Sequence, residues 1–403
     1  MSARNRRAPL PRLNGPSTRA LILMAGLSLA ATVAMTGAFA SAAGASAEQS
    51  GGTAANGRGT ENIILVTIDG VRIQEMFGGM DEVITDKPKQ SGVYDLERLR
   101  ELYWRDTPEQ RRLALWPYFW GTLAREGMVL GNKEKKSRVL VKNRLLFSAP
   151  GYAEILTGQP QDDVTSNDLI RYPHQTVLEY AQRKLGLNET EVAMVGSWDG
   201  FKMLASSAPD VFFTNGGYEE FPPELSTPRI DFLGKLQHQA MALWEEGRSD
   251  AITFNLGMEY IRTRHPRIFY LALGEPDDWS HARRYDRLLD YLHVCDGYLR
   301  ELWETLQSDD FYRGRTTVLI TTDHGRGVRP SDWVEHDEGV QGAEDVFVAI
   351  FGPDTPKRGE VANHPTVHLA DIAATLLQSL GLDHRDFNPE AGPPIPGAFE
   401  PGE

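Results

Sequence analysis

Acidic residues follow three of the most apolar segments of this chain. Residues 62–68, 267–273 and 316–322 are continuous runs of β-branched and other apolar side chains, which is typical of strands buried on both faces of a parallel sheet. Asp69 follows the first run, Asp277 follows the second after a short turn, and Asp323 follows the third. Ligands of open α/β sheets bind beyond the carboxyl ends of the strands, so we expect these three carboxylates to share one site.

Histidines accompany two of these acids. His281 comes four residues after Asp277, so on a helix the two side chains lie on one face and can hold one metal ion. His324 directly follows Asp323, and the turn at the next residue lets both side chains reach one site or bridge two. His336 lies in a polar loop before a further apolar run, and a lone loop histidine is by itself weak evidence for a ligand.

The single cysteine narrows the chemistry of any metal site. Cys295 has no partner in the chain, which excludes an intramolecular disulfide, a cysteine-based zinc site and an iron–sulfur cluster. Any metal must therefore be held by histidine and carboxylate. His364 and His368 are also four residues apart and form a rival pair before the last predicted helix.

Ser148 is the candidate nucleophile. It lies at or just before the expected N-cap of a helix in which Pro150 occupies the first turn. A hydroxyl there lies beside free backbone N–H groups and the positive end of the helix dipole, which would stabilise an oxyanion. The alternative is a serine that only caps the helix. A bound metal favours the nucleophile, because coordination lowers the pKa of a hydroxyl that otherwise reacts weakly at neutral pH.

Strands and helices alternate along the chain. Weaker strands are predicted at 191–195 and 345–351, and amphipathic helices at 176–185, 285–306 and 369–380. This order predicts an α/β fold with a doubly wound, mostly parallel central sheet flanked by helices. Segments 72–136 and 198–264 carry no recognisable motif, and we expect them to pack helices around the sheet and to build the substrate pocket.

Composition and charge exclude several classes of protein. The 403 residues are 41% hydrophobic and 24% charged, which excludes a disordered chain. The formal net charge is -14, and no long Lys/Arg run follows the N-terminus, so a nucleic-acid polymer is not an expected partner.

The first 40 residues have the pattern of a secretory signal peptide. Five arginines precede an apolar stretch, and cleavage after Ala40 or after Ala47 fits the small residues there. Cleavage after Ala40 would take the net charge from -14 to -19. The alternative is an uncleaved membrane anchor, because residues 20–40 are just long enough to span a bilayer. We expect a secreted or periplasmic protein with a flexible linker at 41–60, a catalytic domain at 61–385 and a Pro/Gly-rich tail at 386–403.

The order of these motifs resembles that of the alkaline phosphatase superfamily, which includes nucleotide pyrophosphatase/phosphodiesterases, sulfatases and cofactor-independent phosphoglycerate mutases. The resemblance covers residues 62–382 and implies an alkaline phosphatase-like fold with two divalent metal ions. It implies one metal held by Asp69, Ser148, Asp323 and His324, and a second held by Asp277, His281 and His336. Asn167 resembles the polar side chain that binds a substrate oxygen in the family.

The chain also departs from one branch of that family. Sulfatases with a modified nucleophile have Cys or Ser followed by x-Pro-x-Arg, whereas here Tyr152 takes the position of the arginine. A formylglycine nucleophile is therefore not expected.

Together these observations predict a two-metal hydrolase of phosphate esters, either a phosphatase or a phosphodiesterase, in which Ser148 forms a phosphoseryl intermediate. Three Asp and three His ligands suit zinc first and manganese second. The expected partner is a small phosphate ester or sulfate ester. The alternatives are a sulfate or phosphonate ester hydrolase or a phosphotransferase on the same scaffold, and a non-catalytic extracellular binding module.

Overall fold

The computed structural model describes residues 58–399. Its strands are β1 (Asn62–Ile68), β2 (Gly127–Leu130), β3 (Val139–Leu140), β4 (Val192–Gly196), β5 (Phe213–Gly216), β6 (Ile268–Leu273), β7 (Thr316–Thr321), β8 (Asp345–Val346), β9 (Val348–Phe351), β10 (Gly359–Glu360) and β11 (Val367–His368). Its α-helices are α1 (Ile73–Gly78), α2 (Glu82–Thr85), α3 (Leu96–Tyr103), α4 (Pro108–Leu115), α5 (Pro117–Gly121), α6 (Ser148–Thr157), α7 (Val177–Leu185), α8 (Phe201–Leu204), α9 (Pro228–Gln237), α10 (Asp250–Arg264), α11 (Glu275–His281), α12 (Tyr285–Ser308) and α13 (Asp371–Ser379).

Eight strands form the central sheet in the order β10-β2-β9-β7-β1-β6-β4-β5. All neighbouring pairs are parallel except those made by β9, which runs against both β7 and β2. The central strand β1 pairs in register with β6 and β7, with Ile63 opposite Ile268 on one side and Thr317 on the other. The predicted α/β fold with a mostly parallel sheet is therefore confirmed.

Both faces of the sheet are covered, which explains why its strands are apolar throughout. Ile64, Val66 and Ile68 of β1 face one hydrophobic core, which α10, α12 and the helices of segment 73–121 complete. Ile63 and Leu65 face the other core, which includes side chains of α6, α7 and α13. The sheet thus holds its strand ends rigidly between two helical layers.

The strand predicted at 345–351 is in fact two strands in two sheets. Residues of β8 pair with β3 in a three-stranded sheet of order β11-β3-β8, whereas β9 joins the central sheet. The chain changes sheet at Phe347, whose carbonyl accepts a hydrogen bond from Thr321 Oγ1 at 2.7 Å. The apolar pattern is continuous across this break because both strands are buried.

The segments at the two ends of the fold are partly described. The predicted signal peptide and most of the predicted linker lie outside the described residues. Within the linker range, Thr60 is buried and its backbone N–H donates to Asp354 Oδ2 at 2.9 Å. Within the predicted tail, Ile395 and Ala398 are buried in the core beside α13. Among residues 58–399, no helix is both long and apolar enough to cross a bilayer.

Candidate metal centre and adjoining pocket

The three acids predicted from strand ends lie together at one edge of the sheet. Asp69 follows β1, Asp323 lies two residues after β7, and Asp277 lies in α11, which follows β6. These strands are neighbours in the order β7-β1-β6 and are parallel, so their carboxyl ends meet at the same edge.

Asp69, Asp323 and His324 form the first cluster. One ligand atom from each side chain lies within 4.8 Å of the others. His324 Nε2 is 3.5 Å from Asp69 Oδ1 and 3.4 Å from Asp323 Oδ2. All three of these atoms are buried, and none has a hydrogen-bond partner. Buried polar groups are nearly always satisfied, so three orphaned atoms around one point fit a cation at that point.

The remaining polar atoms of this cluster are held by neighbours. His324 Nδ1 lies 3.0 Å from the Gly325 carbonyl oxygen, and a proton on Nδ1 would leave the Nε2 lone pair for a cation. Asp69 Oδ2 accepts a hydrogen bond from the Tyr152 hydroxyl at 2.8 Å. Asp323 Oδ1 accepts one from the Gly70 N–H at 3.1 Å. These contacts fix the orientation of each side chain, as partners of metal ligands do.

Asp277, His281 and His336 form the second cluster, also with ligand atoms within 4.8 Å of one another. His281 Nε2 lies 3.2 Å from Asp277 Oδ2 and 3.0 Å from His336 Nε2. His336 Nδ1 lies 3.2 Å from the Leu146 carbonyl, which turns its Nε2 toward the cluster. The two clusters adjoin, because His324 Nε2 is 3.8 Å from Asp277 Oδ1.

The pKa shifts in both clusters have the directions expected for a cation site. Burial raises the pKa of Asp69 well above its ordinary value, and the nearby charge of Asp323 raises it further. Burial also raises the pKa of Asp323. Burial lowers the pKa of His281, and it lowers that of His336 with help from the positive charges around it. These directions favour neutral imidazoles at His281 and His336, and a cation would remove the cost of ionising the acids.

Arg326 is a member of this centre that sequence reasoning missed. Its side chain is fully buried, donates to the Val334 carbonyl, and contacts Asp277 Oδ1 through Nη2. Burial lowers its pKa to about 9. The only sequence signal was its position two residues after His324, where an arginine would not have been distinguished from a surface residue.

Ser148 is the first residue of α6, and Phe147 is the N-cap residue, so the serine is one position further into the helix than a capping residue. It is 8% exposed and lines a cavity of about 330 Å³ together with Asp69, Asp277 and His281. The structure therefore brings the predicted nucleophile to the same cavity as members of both clusters.

Asn167 lines the same cavity and is attached to the beginning of α6. Its Oδ1 accepts a hydrogen bond from the Ala149 N–H at 3.0 Å. This contact uses the carbonyl oxygen of the side chain, so the amide Nδ2 group remains available to a ligand oxygen.

The rest of the cavity wall comes from segment 198–264 and from the ends of β4 and β6. It includes residues that no motif indicated: Ser197, Trp198, Trp244, Glu246, Gly247, Arg248, Gly274 and Asp278. Segment 198–264 therefore contributes to the cavity wall, as expected from the sequence. Segment 72–136 does not line this cavity, and Trp116 and Trp120 pack instead in a hydrophobic core.

The rival pair lies elsewhere. Both ring nitrogens of His364 lie 2.8 Å from backbone carbonyls, those of Pro365 and Pro396. His368 Nδ1 is 3.9 Å from Asp371. Neither histidine belongs to a cluster of possible metal ligands among the described residues.

Comparison with known proteins agrees with this geometry. Residues 247–384 match the Metalloenzyme superfamily, and this range contains the second cluster and the Asp-His pair of the first. No curated protein sequence matches the chain significantly.

A solved structure shares the fold, and others have some similarity to it. A variant of the alkaline phosphatase PafA with four substitutions is similar with a TM-score of 0.53, over 85% of this chain and 99% of that chain, at 11% identity. The lipoteichoic acid synthase LtaP from Listeria monocytogenes has a TM-score of 0.49 at 14% identity and covers 81% of this chain and 73% of its own. A phosphonate monoester hydrolase of Agrobacterium radiobacter has 0.48 at 14% identity, over 85% and 78%. Residues 247–384 are thus similar to the Metalloenzyme superfamily, and the chain shares its fold with an alkaline phosphatase.

Proposed function

We propose that this protein is a secreted or periplasmic hydrolase of phosphate esters that uses Ser148 as its nucleophile and two divalent metal ions. The observation that carries the proposal is the position of Ser148 at the N-terminus of a ten-residue helix. Ser148 lines one cavity with Asp69 of the first cluster and with Asp277 and His281 of the second. A serine that only caps a helix has no need of this surrounding. The location outside the cytoplasm rests on the N-terminal segment alone.

The residues fit the two metal ions. Asp69, Ser148, Asp323 and His324 would hold one ion, and Asp277, His281 and His336 would hold the other. Three carboxylates and three imidazoles suit zinc first and manganese second. When bound, the ions supply positive charge at the phosphate oxygens and at the serine hydroxyl, whose pKa falls as a result.

The chain's own groups account for the covalent steps. Ser148 Oγ attacks phosphorus in line with the leaving group, so the new O–P bond forms as the bond from phosphorus to the ester oxygen breaks. The alcohol leaves, and a phosphoserine remains. Water then attacks the same phosphorus, which releases phosphate, or a monoester from a diester substrate, and regenerates the serine. Asn167 Nδ2 would donate to a phosphate oxygen, and the hydrogen bond that its Oδ1 accepts from the Ala149 N–H supports this role.

Assays of matched esters would test the proposal. Metal-loaded protein would be given aryl phosphate, aryl diester, aryl phosphonate and aryl sulfate, together with Ser148→Ala and Ser379→Ala. Ser379 is a buried helical serine of α13 that bonds to a backbone carbonyl, so it controls for loss of a buried hydroxyl. We expect Ser148→Ala to fold and keep metal but to lose about three decades or more of kcat, as other covalent nucleophiles do.

Three outcomes would contradict the proposal in different ways. Wild-type turnover by Ser148→Ala would remove the nucleophile assignment. Preference for the sulfate or the phosphonate would favour another hydrolase of the same scaffold. Absence of turnover on all four esters with full metal content would favour a binding module.

A further inference from the structure

The cavity next to Ser148 has a second end that the two clusters do not use. Asp69, Ser148, Asp277 and His281 line the part of the cavity that contains the nucleophile and members of both clusters. The far end of the cavity is lined by Trp198, Trp244, Glu246 and Asp278.

The exposed acid at the far end is unpaired. Within residues 58–399, the carboxylate of the exposed Glu246 makes no hydrogen bond or ion pair with another side chain. Asp278 lies near it, but burial raises the pKa of the Asp278 carboxyl to about 8. Asp199 lies beside Glu246, because its backbone N–H donates to the Glu246 carbonyl at 3.0 Å. Burial and the charge of Glu246 both raise the pKa of Asp199, and the charge of Lys202 lowers it. The region therefore favours a cation over an anion.

The basic side chain of this wall is not available to an anion. Arg248 is 2% exposed, and its guanidinium points into the protein. Its three nitrogens donate to Thr253 Oγ1 at 2.9 Å, Gln237 Oε1 at 3.3 Å and the Gly196 carbonyl at 3.1 Å. A second phosphate or a carboxylate on the substrate would thus meet acids without a free arginine or lysine among the described lining residues.

Trp198 and Trp244 are a second feature of this wall that favours a cation. Trp198 and Gly247 form a backbone bridge, which holds the Trp198 and Trp244 segments beside each other. Trp198 is anchored edge-on against Phe201, with ring centroids 5.8 Å apart, while Trp244 is 47% exposed. Indole is the best aromatic partner for an ammonium ion, above all for a quaternary one whose hydrogens cannot make strong hydrogen bonds.

We propose that the natural substrate is a phosphate ester whose alcohol carries an ammonium group, bound at the far end between the indoles and the carboxylate of Glu246. This inference rests on the proposed function, because it takes the phosphoryl group to be at Ser148. Phosphate esters of choline and ethanolamine represent the chemical class.

A pair of substrates that match in shape and differ in charge would test the inference. Choline phosphate and 3,3-dimethylbutyl phosphate have nearly the same shape, but the second has carbon in place of the cationic nitrogen. Release of inorganic phosphate by the metal-loaded enzyme gives kcat/KM for each, and the p-nitrophenyl diesters of the same two alcohols give it for diesters. We expect the cationic ester to be preferred about tenfold or more, as a cation–π contact with the indoles and the unpaired Glu246 carboxylate would give together.

Variants assign the preference to this end of the cavity. Glu246→Gln and Trp244→Ala should each lower the ratio of the two kcat/KM values toward one, mainly through the KM of the cationic ester. Glu245→Gln is the matched control, because Glu245 is the exposed neighbour and does not line the cavity. An equal loss of the ratio in Glu245→Gln would show a general effect of charge and would contradict the assignment.

Binding separates this inference from the proposed function. Calorimetry with metal-loaded Ser148→Ala should show choline phosphate binding about tenfold more tightly than 3,3-dimethylbutyl phosphate. If both esters are turned over or bound equally, the headgroup site is wrong while the hydrolase proposal stands. If neither is turned over by the wild type but choline phosphate binds selectively, the hydrolase proposal fails and the headgroup site stands.

Discussion

The Tyr152 hydroxyl donates a hydrogen bond of 2.8 Å to Asp69 Oδ2, so the helix that begins at Ser148 is attached one turn later to a carboxylate of the first cluster. Tyr152 is fully buried, and burial raises the pKa of its hydroxyl well above the ordinary value, so it remains a donor. Asp69 Oδ1 is left without a partner on the cluster side. One bond therefore aligns the predicted nucleophile with a predicted ligand.

Tyr152→Phe should weaken the first metal site while the fold is kept. Loss of a hydrogen bond to a metal ligand typically reduces metal affinity or activity about 10- to 100-fold. Titration of metal-free protein with zinc, alongside kcat/KM on an aryl ester, would measure both effects. Tyr312→Phe is the control, because Tyr312 is equally buried but its hydroxyl donates to the Pro266 carbonyl instead. Equal metal affinity in both variants would show that the Tyr152 bond does not orient Asp69.

Metal content should distinguish the two clusters from the rival histidine pair. We expect about two equivalents of metal in the purified protein, and loss of at least one equivalent in Asp323→Ala or His281→Ala. His364→Ala should keep both, since both nitrogens of His364 face backbone carbonyls. Elemental analysis of the four proteins provides the measurement. Active wild-type enzyme without bound metal would remove the two-metal mechanism.

Gly151→Ala should damage the centre through the backbone. A Cβ at Gly151 would lie 2.4 Å from the Asp323 carbonyl oxygen and 3.1 Å from Asp323 Cβ, so α6 would have to move away from the end of β7. We expect lower thermal stability and lower kcat, although Gly→Ala inside a helix ordinarily stabilises by roughly 0.5–1 kcal/mol. Gly297→Ala, in α12, has no atom within 4 Å of the added Cβ and should show this ordinary gain. A rise in melting temperature for both variants would mean that the close approach of α6 to Asp323 is not needed.

The strand ends were predictable from sequence because two physical signals coincide there. Long apolar runs identify strands covered on both faces, and an acid at the end of such a run is placed at the ligand-binding edge by the sheet itself. Asp69, Asp277 and Asp323 were found in this way, and the structure brings them together, although their role as ligands stays a prediction. The same reasoning cannot find β3, β10 or β11, because strands of two residues have no periodicity to detect.

The far wall of the cavity was not predictable for a different reason. Trp198 follows β4 and Glu246 lies before α10, and they meet only because the backbone of Trp198 pairs with that of Gly247. This contact depends on how a long connection folds back, which composition and spacing do not determine. Arg326 was missed because its burial depends on the tertiary packing of the loop after β7.

The metal-free protein should become less stable as the pH rises from 6.5 to 8.5. Burial, with the nearby charges of Asp250 and Glu275, raises the pKa of Asp278 to about 8. A carboxyl that binds its proton more tightly in the folded state contributes stability that is complete below about pH 4 and is lost as the pH passes the folded pKa, here by an amount on the order of 1 kcal/mol. The lowered pKa values of His281 and His336 affect stability only below about pH 6.5, where the unfolded imidazoles gain protons, so they do not offset this loss.

Melting temperatures in the presence of a chelator should therefore fall from pH 6.5 to 8.5. The fall should be smaller in Asp278→Asn, whose amide does not titrate, than in the control Asp168→Asn, which removes an exposed acid. A melting temperature that stays constant or rises from pH 6.5 to 8.5 in the wild-type protein would show that the Asp278 carboxyl is not protonated in the folded metal-free state.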